Sequence, residues 1–461
     1  MFIPFAAFAP GIPKKEIEPD LYGLEPGEFV TFLKSLHEAK RSGKHWDIRL
    51  GKPDIGLFSW ATKKEFPTQP GQSIAVYQQP LHKYDYKNFY GVLPTGYGAG
   101  YVHKAEESPI MIRSVQPDKL EFSVDEGGLI SRYLLQRKKD SKNTWYLVNT
   151  TPNPRLPEKK KYKLISEQSA RNLLNHLGSK IVSVQHKIDG ALSAIFLKDG
   201  KLELFSHRIS NVTGRPIVYT EKILGPYNLV NYPPELDGSV LLGEVYAVQK
   251  NNGDERILSP AELSGILNSG LHKARDKLEK NNIELRVFVF DAAKMGKGDD
   301  IADWTTRPYE KRRAYLASVL KYLPPNFHLP IEATKQQDAY RLLAAISKKR
   351  HPLTQEGLIF HPAVGVPYKW KTFDEDNVYV VGISPGEGKY RDRGIGGLLY
   401  SNKPGGPPLG VVGTGFSDEL REMIYQNPEQ YIGRVMRVKY QQKYPTGAYR
   451  APVFVSFEES R

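Results

Sequence analysis

A strand that ends on a lysine constrains this chain more than any other feature. Val182-Ser-Val-Gln-His-Lys187 is followed by Ile188-Asp189-Gly190 and a second apolar run, Ala191 to Lys198. Asp199-Gly200 then leads into a third, Lys201 to Ser206. Asp-Gly between β-forming runs is a hairpin signal, so Ala191 to Ser206 predicts antiparallel strands. Alternate residues of a strand share a face. Ser183, Gln185 and Lys187 therefore point one way, and Val182 and Val184 the other. An ammonium in an apolar strand is costly to desolvate unless it is paired or has lost its proton. A neutral lysine is a nucleophile. Lys-x-Asp-Gly also occurs in ordinary hairpin turns, and these residues alone leave both readings open.

Three further features carry the same tension. Glu244 sits inside Val240-Leu-Leu-Gly-Glu-Val-Tyr-Ala-Val, and Glu356 opens the apolar run Gly357 to Phe360. A carboxylate in such a strand calls for a cation or a metal, although a cross-strand ion pair would also serve. Lys369-Trp370-Lys371 puts two ammonium groups on one strand face, suited to a polyphosphate or simply to water.

The rest of the chain organises around these strands. The spacing predicts a helix over Phe29 to Lys40, then mostly short strands, with Ser131 to Gln136 and Thr144 to Asn149 around a polar turn. Residues 151–163 read as a linker, with Lys159-Lys160-Lys161 solvated. Helices are expected over Ser259 to Glu279, Pro308 to Tyr322 and Lys335 to Lys348. Strands are expected at Val240–Val248, Leu285–Phe290, Gly357–His361 and Val378–Ile383. The last segment, strand-rich with one helix from Asp418 to Gln426, suits a small barrel such as an OB-fold. A net charge of +14 suits a polyanionic partner, or a merely basic surface. Cysteine is absent, which removes disulfides, thiol catalysis and cysteine-based zinc sites. Met1 to Pro10 lacks a basic n-region, so no signal peptide is expected, and no apolar run is long enough for a membrane span.

The order of these motifs resembles that of the ATP-dependent DNA ligases. Lys187-Ile-Asp189-Gly190 is similar to the family's first motif, and Ser206-His-Arg208 with Asn211-Val-Thr213 to the next. Leu242-Gly-Glu244, Phe288-Val-Phe290-Asp291, Glu356-Gly357 and Lys369-Trp-Lys371 follow in family order, and Arg450-Ala-Pro452-Val-Phe454 resembles the end of a ligase OB-fold. The resemblance implies an α+β, multidomain chain. It would carry an N-terminal β-barrel-like domain (1–150), a linker (151–163), an ATP-grasp-like nucleotidyltransferase domain of antiparallel sheets and helices (164–375) and an OB-fold (376–461). It implies that Lys187 attacks the α-phosphate of ATP, with Lys369 and Lys371 at that phosphate. Gln185 would read adenine, Phe290 would stack on it, and Arg208 would hold ribose or the nick phosphate. Glu244 and Glu356 would serve the ribose and Mg²⁺ or Mn²⁺. Two departures stand out: Leu192 replaces the first motif's arginine, and Glu458-Glu459-Ser460-Arg461 replaces the family's Arg-x-Asp-Lys ending, which leaves either a slow first step or a substitute in Arg461.

The first 150 residues resemble the 3′-phosphoesterase domain attached to bacterial end-joining ligases. His37, Arg41 and His45-Trp46-Asp47-Ile48-Arg49 echo its histidine string, with His37 to His45 two residues too long. Pro80-Leu81, Asp85-Tyr86, Phe89, Gly91 and Gly96-Tyr-Gly-Ala-Gly100 follow its second stretch. Gln79 stands where that family has a metal-binding histidine, and His82 is the available replacement. His37, His45, Asp47 and His82 are thus the implied metal ligands. An active metal-dependent phosphoesterase and a degenerate barrel kept for binding DNA both fit. As a whole the resemblance implies nick sealing through lysyl-AMP and DNA-adenylate, nicked duplex DNA as partner, and a monomer. It places the chain in the cytoplasm of a prokaryotic or phage-infected cell, at the nucleoid. An RNA ligase with the same first step, and a non-catalytic nucleic-acid-binding protein with a worn nucleotide pocket, are the alternatives.

Overall fold

The computed structural model describes residues 20–96, 98–158, 160–251, 253–294, 307–347, 356–444 and 446–458. Met1 to Pro10, Lys159, Lys348 and Glu459 to Arg461 lie outside the described residues.

The N-terminal part is a closed ring of strands: β1 (Phe29–Ala39), β2 (Gly43–Lys52), β3 (Gly56–Thr62), β4 (Ser73–His82), β5 (Glu106–Gln116), β6 (Lys119–Glu126), β7 (Leu129–Arg137) and β8 (Thr144–Asn149). The order β1-β2-β3-β4-β8-β7-β6-β5 returns to β1 through antiparallel pairing. Closure leaves no unpaired edge among these strands, which removes a template for aggregation. Val30, Phe32, Ile48, Leu50, Trp60 and Trp145 fill the interior. The Trp145 indole N–H donates to Gln78 Oε1 at 2.9 Å, so its one polar atom is satisfied. Removing that side chain would cost about 3–5 kcal/mol. Phe29 to Lys40, expected as a helix, is strand β1. Its apolar residues fit both periods, but Phe, Val and Thr favour strands, and pairing with both β2 and β5 decides the outcome.

Past the ring come α1 (Glu167–Leu174), β9 (Ile181–Lys187), β10 (Ala191–Lys198), β11 (Lys201–Ile209), α2 (Thr220–Leu224) and β12 (Ser239–Asn251). Then follow α3 (Pro260–Leu267), α4 (Leu271–Lys280), β13 (Ile283–Lys294), α5 (Tyr309–Leu320), α6 (Gln336–Ser347), β14 (Gly357–Pro362) and β15 (Tyr368–Lys371). The single helix expected over Ser259 to Glu279 is two. A capping box of Ser259 and Glu262 starts α3, and Asn268-Ser269-Gly270 interrupts the run before α4. The hairpin at Asp199-Gly200 forms with both residues at positive φ, as a tight hairpin turn requires.

The chain divides into two compact units. One joins the ring, through Lys160, with Asp189–Pro330; the other joins Lys161–Ile188 with the chain from Ile331 onward. In the first unit, β11-β10-β12-β13 form an antiparallel sheet. Leu241, Val245, Val287 and Val289 pack one of its faces on Leu263, Ile266, Ala274 and Leu316 of the helices. In the second, β15-β14-β9 form a sheet. Val184, Leu358, Phe360 and Trp370 pack one face on α1 and α6, which commits the opposite face to Gln185 and Lys187. The second unit also holds a five-stranded sheet of Asp374–Pro385, Ile395–Ser401, Gly410–Val412, Val435–Tyr440 and Val453–Phe457. A bridge from Thr414 to Val453 brings its two edges together, and the helix Asp418–Gln426 packs Ile424 into its core. This is the expected OB-like barrel.

Candidate active site

In the second unit, Lys187 lies opposite Gly357, which lies opposite Lys371, and Gln185 lies opposite Ile359, which lies opposite Lys369. One sheet face thus carries Gln185, Lys187, Lys369 and Lys371. Gly357 is required for this. Its φ is +148°, and a Cβ there would stand 2.0 Å from the Trp370 carbonyl oxygen. Beside it, Glu356 binds two lysines: Oε2 to Lys187 Nζ at 2.5 Å and Oε1 to Lys371 Nζ at 2.6 Å. Burial pushes the Glu356 carboxyl up, but the two ammonium groups outweigh it and hold it below its ordinary range. Lys369 is pushed below the usual lysine range, first by burial and then by the charges of Lys371 and Lys187. Three lysines around one carboxylate leave an excess of positive charge.

Gln185 is buried, and its Oε1 lies 2.9 Å from His361 Nε2. Ser183 Oγ donates to Glu332, and the His186 ring accepts the Ile331 amide at 2.6 Å. His361 and Glu332 escaped the sequence reading. His361 had a signal, since it falls in phase with Gly357 and Ile359 on the same strand; Glu332, on a two-residue strand, had none.

The other cluster lies on the ring, in the first unit. Val30, Phe32, Ile48 and Leu50 face inward, so Ser35, His37, His45, Asp47 and Arg49 fall on the opposite face. His37 is directly opposite His45 across the β1–β2 hairpin. Lengthening the hairpin by a residue on each strand keeps such a pair opposed, which is why the longer spacing does no harm. Arg41 falls in the exposed turn. The ligand atoms of His37, His45 and Asp47 lie within 4.8 Å of one another. His37 Nε2 is 2.9 Å from the Gly98 carbonyl and His45 Nδ1 is 2.9 Å from that of Gly43. Each ring therefore turns its other nitrogen toward Asp47, at 3.5 Å in both cases. Backbone carbonyls that fix the tautomer while the second nitrogen faces a carboxylate are the surroundings of a metal-binding histidine, so the residues fit a divalent metal. Burial raises the Asp47 carboxyl, but hydrogen bonds from His37 and His45 and the Arg49 charge hold it far below its ordinary range. Arg49 donates to Asp47 at 2.7 Å.

Gln79 does not join this group; its amide donates to the Tyr77 carbonyl. An irregularity in the β3–β4 pairing re-aims the end of β4. His82 there packs against Tyr86 with ring centres 4.8 Å apart and planes tilted by 39°, and Arg49 lies over the same Tyr86 ring at 5.0 Å. Burial, and then the Arg49 charge, hold the His82 ring neutral, with its pKa near 4.

Residues 164–372 match the ATP dependent DNA ligase domain, residues 35–137 the DNA Ligase D 3′-phosphoesterase domain, and residues 385–457 the DNA ligase OB-like domain. The chain is built from the domains of ATP-dependent DNA ligases. A DNA ligase of Saccharolobus solfataricus is 25% identical over 306 residues, covering 62% of this chain and 47% of the relative. One from Saccharolobus islandicus is 28% identical over 148 residues, covering 32% and 21%. The chain thus spans less than half the length of these relatives. A solved Lig E DNA ligase is 18% identical, with a TM-score of 0.42, covering 66% of this chain and all of that one.

The remaining ligase-motif residues lie in the first unit. Gly190 N–H donates to Glu244 Oε1 at 3.2 Å, and a Cβ on Gly190 would stand 2.2 Å from the Val245 carbonyl, so Asp-Gly is needed where the turn crosses β12. Leu192 is directly opposite Glu244. Arg208 is exposed at the end of β11, whereas its neighbour His207 is buried. Phe290 is the extra residue where the β12–β13 register shifts, which turns it out of the ladder and half exposes it. Lys160, expected to be solvated, is buried with Arg312 on Asp291. The linker run is polar in sequence, but one of its lysines neutralises a carboxylate inside the fold. Among the described residues no helix is long and apolar enough to cross a membrane.

Proposed function

We propose that this protein is an ATP-dependent DNA ligase that seals nicks in duplex DNA, with an N-terminal domain that removes 3′-blocking phosphates in a metal-dependent reaction. The observation that carries the ligase reading is the three-lysine face of β9 and β15 around Glu356. Lys187 Nζ, having given up a proton, attacks the α-phosphorus of ATP. A phosphorus–nitrogen bond forms and pyrophosphate leaves. The 5′-phosphate of the nick then attacks the same phosphorus, and Lys187 departs. Finally the 3′-hydroxyl attacks the activated 5′-phosphate and AMP leaves. Lys369 and Lys371 stabilise the charge that builds on the α-phosphate oxygens, which is the dominant demand of phosphoryl transfer.

Glu356 acts as counter-ion, since both its oxygens hold ammonium groups. A ligation metal, Mg²⁺ or Mn²⁺, would be held through the nucleotide phosphates, as Mg²⁺ commonly is, and would supply positive charge to the pyrophosphate. Gln185, Phe290, Glu244 and Arg208 keep the nucleotide roles that the resemblance gives them, each open to its own substitution. On the ring, His37, His45 and Asp47 would hold a metal such as Mn²⁺, with Arg49 and His82 facing the phosphate. The domain limits given by the sequence, a monomeric state and a cytoplasmic place of action belong to the same reading.

The test incubates the protein with ATP and metal and follows label transfer to protein, then sealing of nicked DNA against nicked RNA. Sealing of DNA with an adenylated protein supports the reading. Adenylation with sealing of RNA alone would reassign the substrate, and absence of both, with a pre-adenylated nick also left open, would overturn it.

A further inference from the structure

The ring is not tethered beside the adenylation sheet; it shares a core with it. Met111 and Ile130 of the ring pack in one apolar cluster with Ala194, Phe196, Phe205, Leu242 and Leu271. Around that cluster lies a buried, charge-balanced lattice. From the ring come Arg113, Arg132 and Asp125; from the other side come Glu203, Glu221 and Lys222. Arg132 grips both oxygens of Glu203, at 2.7 and 2.8 Å, and donates its Nε–H to Glu221 at 2.5 Å. Arg113 donates to the same Glu221 oxygen at 2.6 Å and to Asn228 Oδ1 at 3.1 Å. Asn228 and Thr220 donate in turn to Glu203, at 2.6 and 2.8 Å. Burial would raise the Glu221 carboxyl, yet the two arginines hold it near 2. Lys222 donates to the Leu267 carbonyl at 2.6 Å, with Asp125 at 3.8 Å. The ring touches so closely that a Cβ on Gly128 would stand 2.5 Å from the Asn268 carbonyl.

We propose that the face of β11 and α2 bearing Glu203 and Glu221 is a permanent docking surface whose partner is the ring of the same chain. The apolar cluster holds the two together, and the Arg113–Arg132 pair sets their register. Apolar burial supplies most of the attraction in such an interface, while buried ion pairs specify one arrangement and penalise others. The ring's His37–His45–Asp47 centre and the Glu244 sheet then move as one body, whatever the DNA does. This holds whether or not that centre is catalytic.

The connection between the two can be cut at Asn153, which is exposed, between Thr151, whose hydroxyl accepts from the Arg132 backbone N–H at 2.9 Å, and Leu156, which packs on the apolar cluster. A protease site inserted between Asn153 and Pro154 of the full chain is cleaved after folding, and the product is run on a sizing column at low and high salt. The cut wild-type chain is expected to elute as one particle at both. Two separate pieces would overturn the proposal. The Arg113→Ala/Arg132→Ala double variant, cut in the same way, is expected to fall apart; if it stays together, the arginines are not the lock. Arg132→Lys keeps the charge but loses the fork, and is expected to dissociate at high salt only. Dissociation of Arg132→Lys at low salt supports the proposal equally, and its persistence at high salt would count against the fork.

Discussion

The ring cluster and the lysine cluster are opposite solutions to the same problem of charge in a fold. On the ring, two oriented histidines and a carboxylate face one another, a set of electron-pair donors that suits a cation. On β9 and β15, three ammonium groups surround one carboxylate, an excess of donors that suits a phosphate. Both rest on antiparallel strands whose apolar face is committed to a core, so the polar face is fixed by alternation. The difference lies in what each face offers: ring nitrogens and a carboxylate on one, ammonium groups on the other. On the proposed function, one chain would hold two phosphate chemistries, one through a metal at His37, His45 and Asp47 and the other through lysines.

Substitutions should break one half and spare the other. The largest effect is expected from Lys187→Ala. It should lower protein adenylation by roughly 10⁴-fold or more, as loss of a covalent nucleophile does, while pre-adenylated nicks are still sealed and 3′-phosphate release is unchanged. Asp47→Asn is the mirror image. Manganese-dependent release of phosphate from a 3′-phosphorylated oligonucleotide should fall by roughly 10²-fold or more, with sealing of a 3′-hydroxyl nick intact. If both activities fall together in either variant, the two sites are not independent. Glu356→Gln keeps the shape but drops the charge that holds Lys187 and Lys371. The Gln amide oxygen still accepts from one lysine, so the loss of one hydrogen bond to a charged group, about 1.5–3 kcal/mol, should slow adenylation by roughly 10- to 100-fold in single-turnover kinetics. Phe290→Ala is the mildest. If Phe290 stacks on the base, the KM for ATP should rise about 2- to 10-fold with little change in kcat; an unchanged KM would strip Phe290 of that role.

The lysine cluster was legible because Lys187, Glu356, Lys369 and Lys371 keep the order of a motif series along the chain, although strand pairing is what brings them together; Glu244 and Phe290 of the same series lie in the other unit. The hairpin at Asp199-Gly200 and the helix from Asp418 to Gln426 were also readable, since turn chemistry and capping are local. What failed was non-local. The β1 segment has apolar residues at both helical and strand spacing, and only its two neighbours decide. His82, expected to replace the histidine missing at Gln79, is not among the clustered His37, His45 and Asp47; the bulge in β4 that sets its direction leaves no mark in the sequence. Lys160 read as solvent-facing because its partner Asp291 is 131 residues away. The Arg132–Glu203–Glu221 lattice was invisible for the same reason.

The central claim is that Lys187 is the nucleophile, and the mass of its peptide after incubation with ATP and Mg²⁺ tests it most directly. The account predicts the added mass of one adenylyl group on the peptide containing Lys187, removed by pyrophosphate or by a nicked DNA. Adenylation of a different lysine, or of none while nicks are still sealed in the presence of ATP, would contradict it.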